Sequence, residues 1–284
     1  WISSTIPDAV VMHLPEPNPQ DPADHPQFWD IWRESLTALL PEKIDAVVAS
    51  EHYGTRLAQE LGAKFIPFDI AREALPVSGT MIRNDVYKHW DLLAAPAQRD
   101  FTFKVCVFGP ESTGKSTLTQ QLARHYQTTG VSEYARDVIE AKKNITIDDM
   151  PLIAQGQQNL IEQAIGSANR ILFTDTDALA TSIWTRWLFG CRHGGVEAIA
   201  SAQSCDFYLL LAPDLPWVPD RVRYFEGRGQ EFFDDCRSTL EHHGRAYAVI
   251  GGQGEVRLQA AIAAVDQMAC SFFAGIGRKS NART

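Results

Sequence analysis

The 284-residue chain is poor in cysteine, in net positive charge and in long apolar runs. Its five cysteines (Cys106, Cys191, Cys205, Cys236, Cys270) are odd in number, scattered, and form no C-x-x-C pair. That argues against a disulfide framework and a zinc site, and fits a reducing cytoplasm. Lys and Arg total 26 against 35 Asp and Glu, a net charge of −9. No global basic field therefore draws nucleic acid or an anionic membrane, and neither is expected as a partner. The apolar stretch Ala260–Phe273 comes closest to a membrane span, but Asp266 and Gln267 interrupt it. The chain opens with Trp1 rather than Met and shows no signal-peptide layout. What remains is ordinary: 45% apolar and 21% charged residues, and a length that admits two domains.

One stretch organises the rest. Gly109-Pro110-Glu111-Ser112-Thr113-Gly114-Lys115-Ser116 fits the phosphate-binding P-loop pattern. Before it, Phe101–Phe108 reads FTFKVCVF, with the apolar density of a buried parallel strand. After it, Leu118, Leu122 and Tyr126 recur every four residues, one face of a helix. A loop between a strand and a helix N-terminus aims free N–H groups and the positive dipole end at an anion. Gly109 and Gly114 allow backbone angles that side chains resist. Lys115 can reach the β- and γ-phosphates of ATP, and the Ser116 hydroxyl can ligate Mg²⁺. Glu111, Ser112, Thr113 and Thr117 share this expected ATP site.

The rest alternates short β-rich runs with amphipathic stretches, so an α/β fold with parallel sheet is expected. Before the loop, strands are predicted at Asp8–Leu14, Asp45–Ser50 and Lys64–Phe68, and helices at Gln27–Leu40 and Tyr53–Leu61. Leu93–Asp100 reads as a linker, which divides the chain into domains 1–98 and 99–284. After it, strands are predicted at Lys104–Phe108, Gly130–Glu133, Arg170–Asp175, Asp206–Leu211 and Ala246–Ile250. Helices fill the gaps at Lys115–Gln127, Met150–Ala168, Ala178–Phe189, Gly229–His243 and Glu255–Cys270. The tail Gly275–Thr284 reads as disordered.

The N/T-K-x-D motif of GTPases is absent, and the strand ILFTDTD lacks the Asp-Glu ending of motor-type ATPases. A small-molecule kinase fits better. Phosphoryl transfer needs a positioned acceptor hydroxyl, an orienting carboxylate, Mg²⁺ and cations over the phosphates. Asp175 and Asp177 lie at the carboxyl end of a strand, where such sheets bind ligands. One would hold the metal and the other a substrate hydroxyl, with a helix N-cap as the alternative role for one of them. In VSEYARDVI, Glu133 can accept the acceptor's proton beside Tyr134, and Arg136 can clamp phosphates or hold the Glu; a surface ion pair is the alternative. Arg221, Arg223 and Arg228 crowd a Pro- and Gly-punctuated stretch, Asp214–Phe232, that reads as a lid over the triphosphate. Trp217 would stack on an acceptor ring or pack within the loop.

Together GPESTGKSTL, V-x-E-Y-A-R, F-T-D-T-D and P-W-V resemble the bifunctional nicotinamide mononucleotide adenylyltransferase and ribosylnicotinamide kinase enzymes. In the first third, Ser50-Glu51-His52-Tyr53-Gly54 is similar to that family's S-E-x-Y-G stretch. Val77-Ser78-Gly79-Thr80-Met81-Ile82-Arg83 is similar to the I-S-x-T-x-x-R nucleotidyltransferase signature. There Ser78 and Thr80 would cap a helix that binds a second ATP, with Arg83 adding charge. The resemblance implies an incomplete Rossmann-like nucleotidyltransferase domain followed by a P-loop kinase domain. It implies that ribosylnicotinamide is phosphorylated to nicotinamide mononucleotide and that the intact protein adenylylates this to NAD. Two departures stand out. Nothing before Ser78 matches the family's H-x-G-H-type loop, so the chain is expected to lack the first part of that domain, through truncation or loss of adenylyl transfer. Pro219-Asp220-Arg221-Val222-Arg223 has Arg where the family has the Gly of D-G-x-R. The sequence leaves open another nucleoside acceptor, a regulatory or NAD-sensing module with little turnover, and a homo-oligomer.

Overall fold

The computed structural model describes residues 1–15, 17–142, 144–202, 205–219 and 223–281, the side chains of 277–281 excepted. Two compact units are present, the first chiefly Trp1–Ala94 and the second Ala95–Ile276.

The first unit holds helices α1 (Ile2–Thr5), α2 (Phe28–Leu39), α3 (Tyr53–Glu60) and α4 (Gly79–Asn84), and strands β1 (Ala46–Ala49) and β2 (Lys64–Pro67). The strands pair in parallel, Ala46 opposite Lys64 and Ala49 opposite Pro67. Asp8–Leu14 forms no strand, against expectation. Val10 is 80% exposed, and a β-rich run without a neighbour to take its N–H and C=O groups has nothing to hold it extended. Ser78 caps α4 as expected, its Oγ accepting the Met81 N–H at 3.2 Å. Thr80 lies inside the helix instead, where its Oγ1 accepts from the Arg83 guanidinium at 3.2 Å.

The second unit opens with α5 (Ala95–Phe101), so the stretch read as a linker is mostly helical. A five-stranded parallel sheet follows: β3 (Phe103–Phe108), β4 (Gly130–Val131), β5 (Ile171–Asp175), β6 (Phe207–Leu211) and β7 (Tyr247–Ile250), in spatial order β4-β5-β3-β6-β7. Its central strands are apolar because helices cover both faces. Phe103, Val105, Phe173, Leu209 and Leu210 are fully buried. The helices are α6 (Lys115–His125), α7 (Tyr134–Ala141), α8 (Met150–Ile165), α9 (Ala178–Phe189), α10 (Gly194–Ala202), α11 (Gly229–His242) and α12 (Gly254–Asn281). Sequence periodicity missed α7 and α10, both short.

Helix α12 runs on through the tail read as disordered, and 282–284 lie outside the described residues. Continuous over Gly254–Ile276, it is long and apolar enough to cross a membrane by length and composition. Within this unit, however, Ala261, Val265 and Ala269 recur every four residues and are buried. Asp266, the residue that interrupts the run, accepts from the Tyr126 hydroxyl at 2.7 Å.

Candidate active site

Strand register assembles the site. Val107 lies opposite Asp175 across the β3–β5 ladder, so the loop leaving β3 emerges beside that carboxylate. Gly109 has φ +134° and sits so close to Leu211 that a Cβ would lie 3.0 Å from its carbonyl oxygen. Gly114, at φ +81°, delivers the chain into α6. Both positions need glycine. Within the loop, the Lys115 ammonium donates to the Pro110 carbonyl at 2.7 Å, and the Thr113 hydroxyl donates to the same oxygen at 2.8 Å.

The loop opens onto a cavity of about 440 Å³. Its polar lining comes from Glu111 to Thr117 with Glu133, Arg136, Asp175 and Arg223. Its apolar lining includes Ile139, Ile145, Met150, Ile153, Trp184 and Leu188. Asp175 is buried, and its Oδ2 accepts from Ser116 Oγ at 2.5 Å. Its Oδ1 is buried without a hydrogen-bond partner. Glu133 precedes α7 as N-cap residue and pairs with Arg136 across 3.4 Å. Burial raises the pKa of both carboxyls above the ordinary range, against the lowering pull of Lys115 and Arg136. Of the expected residues, those two carboxylates, Arg136, Arg223 and the loop from Glu111 to Thr117 meet in one cleft.

Others do not. Asp177 is the N-cap of α9, its Oδ1 accepting the N–H groups of Leu179 and Ala180 at 3.0 and 3.3 Å. Its Oδ2 accepts from the Tyr208 hydroxyl at 2.6 Å. Both oxygens are engaged by these partners and Asp177 is absent from the cleft lining, the arrangement of the cap alternative. Tyr134 turns from the cleft and packs on Gly156, where a Cβ would overlap its ring; its backbone N–H donates to Gln157 Oε1 at 2.7 Å. Trp217 lies outside the cleft lining, its indole N–H buried without a partner. Arg228 is also outside it, paired with Glu231 at 2.8 Å and stacked 4.2 Å over the Trp187 ring. Arg221 and the Arg-for-Gly departure lie outside the described residues.

Two features escaped the sequence. Trp184 and Tyr224 bring aromatic rings to the cleft lining, and within α9 Trp184 reads as one more apolar position. Glu111 is the link to the following segment, its carboxylate accepting the backbone N–H groups of Tyr224 and Phe225 at 2.7 and 3.1 Å. Ser112 assists by accepting from the Val218 N–H at 3.0 Å.

This arrangement has relatives. The chain is homologous to the trifunctional NAD biosynthesis/regulator protein NadR of Escherichia coli (strain K12), with 28% identity over 232 residues, 78% of this chain and 57% of that protein. The same protein of Salmonella typhimurium matches at 27% over the same shares. The chain thus spans just over half the length of the curated relatives it matches. Two crystal structures share the fold. NadR in complex with NR superposes with a TM-score of 0.68 at 23% identity, over 86% of this chain and 74% of the other. NadR in complex with NAD and AMP-PNP gives 0.65 at 24%, over 90% and 74%. The family described as AAA domain matches residues 104–257, more than half of the sequence, and the chain belongs to that family.

Proposed function

We propose that the second unit is a ribosylnicotinamide kinase, moving the γ-phosphate of ATP to the acceptor's 5′-hydroxyl to give nicotinamide mononucleotide. The observation that carries this is the lining of the cleft: it joins the P-loop and two carboxylates, Asp175 buried and Glu133 half-buried, to apolar side chains that include Trp184. A nucleotide hydrolase needs only the first part. The second suits an acceptor with an aromatic ring and a polar sugar, as NR in the solved NadR complex has.

In this reading the loop N–H groups and Lys115 hold the phosphates. Glu133 takes the hydroxyl's proton, and Arg136 with Arg223 faces the charge developing on the transferred group. The oxygens of Ser116 and Asp175 suit a hard divalent ion, and the partnerless Asp175 Oδ1 is the buried atom such an ion would satisfy. Mg²⁺ held there would neutralise the β- and γ-phosphate oxygens. A nucleotidyltransferase-like region with Ser78, Thr80 and Arg83 would precede this kinase, the boundary expected after residue 98 moving to the start of α5 so that the helix stays whole. That region would adenylylate the product to NAD, in the cytoplasm.

The test is ATP consumption with Mg²⁺ across an acceptor panel of nicotinamide riboside, uridine and deoxycytidine. Preference for nicotinamide riboside supports the proposal. Preference for either other nucleoside reassigns the acceptor. The word regulator in the relatives' names favours a second reading, a nucleotide-sensing module, and binding of ATP with no acceptor-dependent turnover would support it.

A further inference from the structure

We propose that Arg257 is a positioning residue for the phosphate-binding loop, aiming the Gly114 N–H at the nucleotide from behind. Arg257 lies in the first turn of α12 and is 4% exposed. Its guanidinium donates to the Thr113 carbonyl inside the loop and to the Asp214 carboxylate just after β6. It also donates to the Gly252 carbonyl at 2.7 Å and the Ala212 carbonyl at 3.4 Å. Asp214 in turn accepts the Gly252 N–H at 2.6 Å. One buried cation therefore ties together the P-loop, the end of β6 and the turn entering α12.

The consequence follows from peptide geometry. The Thr113–Gly114 peptide is planar and trans, so its C=O and N–H point in opposite directions. Arg257, which is not part of the cleft lining, holds the carbonyl, while Gly114 lines the cleft. Fixing the carbonyl therefore presents the N–H to an anion in the loop. Gly114 has no side chain to restrict its own rotation, so an external anchor sets the peptide's orientation. A guanidinium suits this task because its planar fork holds five N–H donors in fixed directions, where an ammonium has three on a freely turning head.

This inference rests on reading the loop as an ATP site, but not on the identity of the acceptor. The experiment is calorimetric binding of ATP with Mg²⁺ and of nicotinamide riboside to the parent, R257M, R257K and D214N, with V265A as a stability control on the same helix. R257M should bind ATP about tenfold more weakly, the loss of one charge-assisted anchor. R257K and D214N should fall between it and the parent. Nicotinamide riboside affinity should stay within about twofold, below the scale of one hydrogen bond. V265A, which hollows the core without touching the loop, should lower Tm and leave ATP affinity unchanged. Unchanged ATP affinity in R257M overturns the proposal, as does equal weakening in V265A. Should R257M fail to fold, unchanged affinity in both R257K and D214N overturns it instead. A parent that binds ATP without phosphorylating an acceptor would sink the kinase reading and leave this test intact.

Discussion

Ser116 and Asp175, 59 positions apart, meet through a 2.5 Å hydrogen bond that joins the first turn of α6 to the end of β5. The bond uses one carboxylate oxygen and leaves the other buried without a partner. A fold selected only for stability has no reason to keep such an atom.

D175N should therefore separate activity from stability. Acceptor phosphorylation should fall by about a hundredfold or more, as expected when the group proposed to hold Mg²⁺ is lost. Thermal stability should hold or rise, because a buried carboxyl that resists ionisation is replaced by a neutral amide. Steady-state kinetics and a melting curve on the same sample test this. A large drop in Tm with activity retained would contradict it.

Burial holds Glu133 and Asp175 protonated above their ordinary values of 4.5 and 3.8, with Lys115 and Arg136 opposing it. The folded state thus binds more protons than the unfolded state as pH rises past those values. Their contribution to stability is complete below the ordinary values and is lost as pH rises through the raised ones. The double variant E133Q/D175N lacks this loss. Its Tm should gain on the parent's as pH rises above those ordinary values, and a gap that narrows instead would refute the assignment.

Asp177 should behave oppositely to Asp175. In D177N the amide cannot accept from both Tyr208 and the α9 backbone, so urea unfolding should show a loss of about 1–2 kcal/mol. The folded fraction should keep its kcat within a fewfold. Loss of turnover comparable to D175N, at unchanged stability, would restore Asp177 to the reaction.

Trp184 is predicted to read the acceptor ring. W184L keeps much of the packing against Phe225 and Phe232, whose rings lie 5.5 and 5.0 Å away. It should raise KM for nicotinamide riboside about tenfold, with KM for ATP little changed. W217L should do neither, and the reverse pattern would return the stacking role to Trp217.

The P-loop and the alternation around it were legible because their signals are local: two glycines, a Lys-Ser pair, an apolar strand before and a periodic helix after. The place of Asp175 in the cleft lining was legible for the same reason, since the carboxyl ends of parallel strands face such clefts. Choosing between it and Asp177 was not. The choice depends on Tyr208, which comes from a different strand and reaches Asp177 within the core. Arg257 was invisible because its partners lie more than forty positions away in Asp214 and Thr113. Asp8–Leu14 misled because a β-rich run specifies a strand only when a neighbour is present to pair with it.

The most direct measurement follows the γ-phosphate itself. ATP labelled there would be incubated with Mg²⁺, nicotinamide riboside and the purified chain, and the products separated. Kinase activity predicts label in nicotinamide mononucleotide, dependent on the acceptor and lost in E133Q. Label found only in inorganic phosphate, or left in ATP, would contradict it.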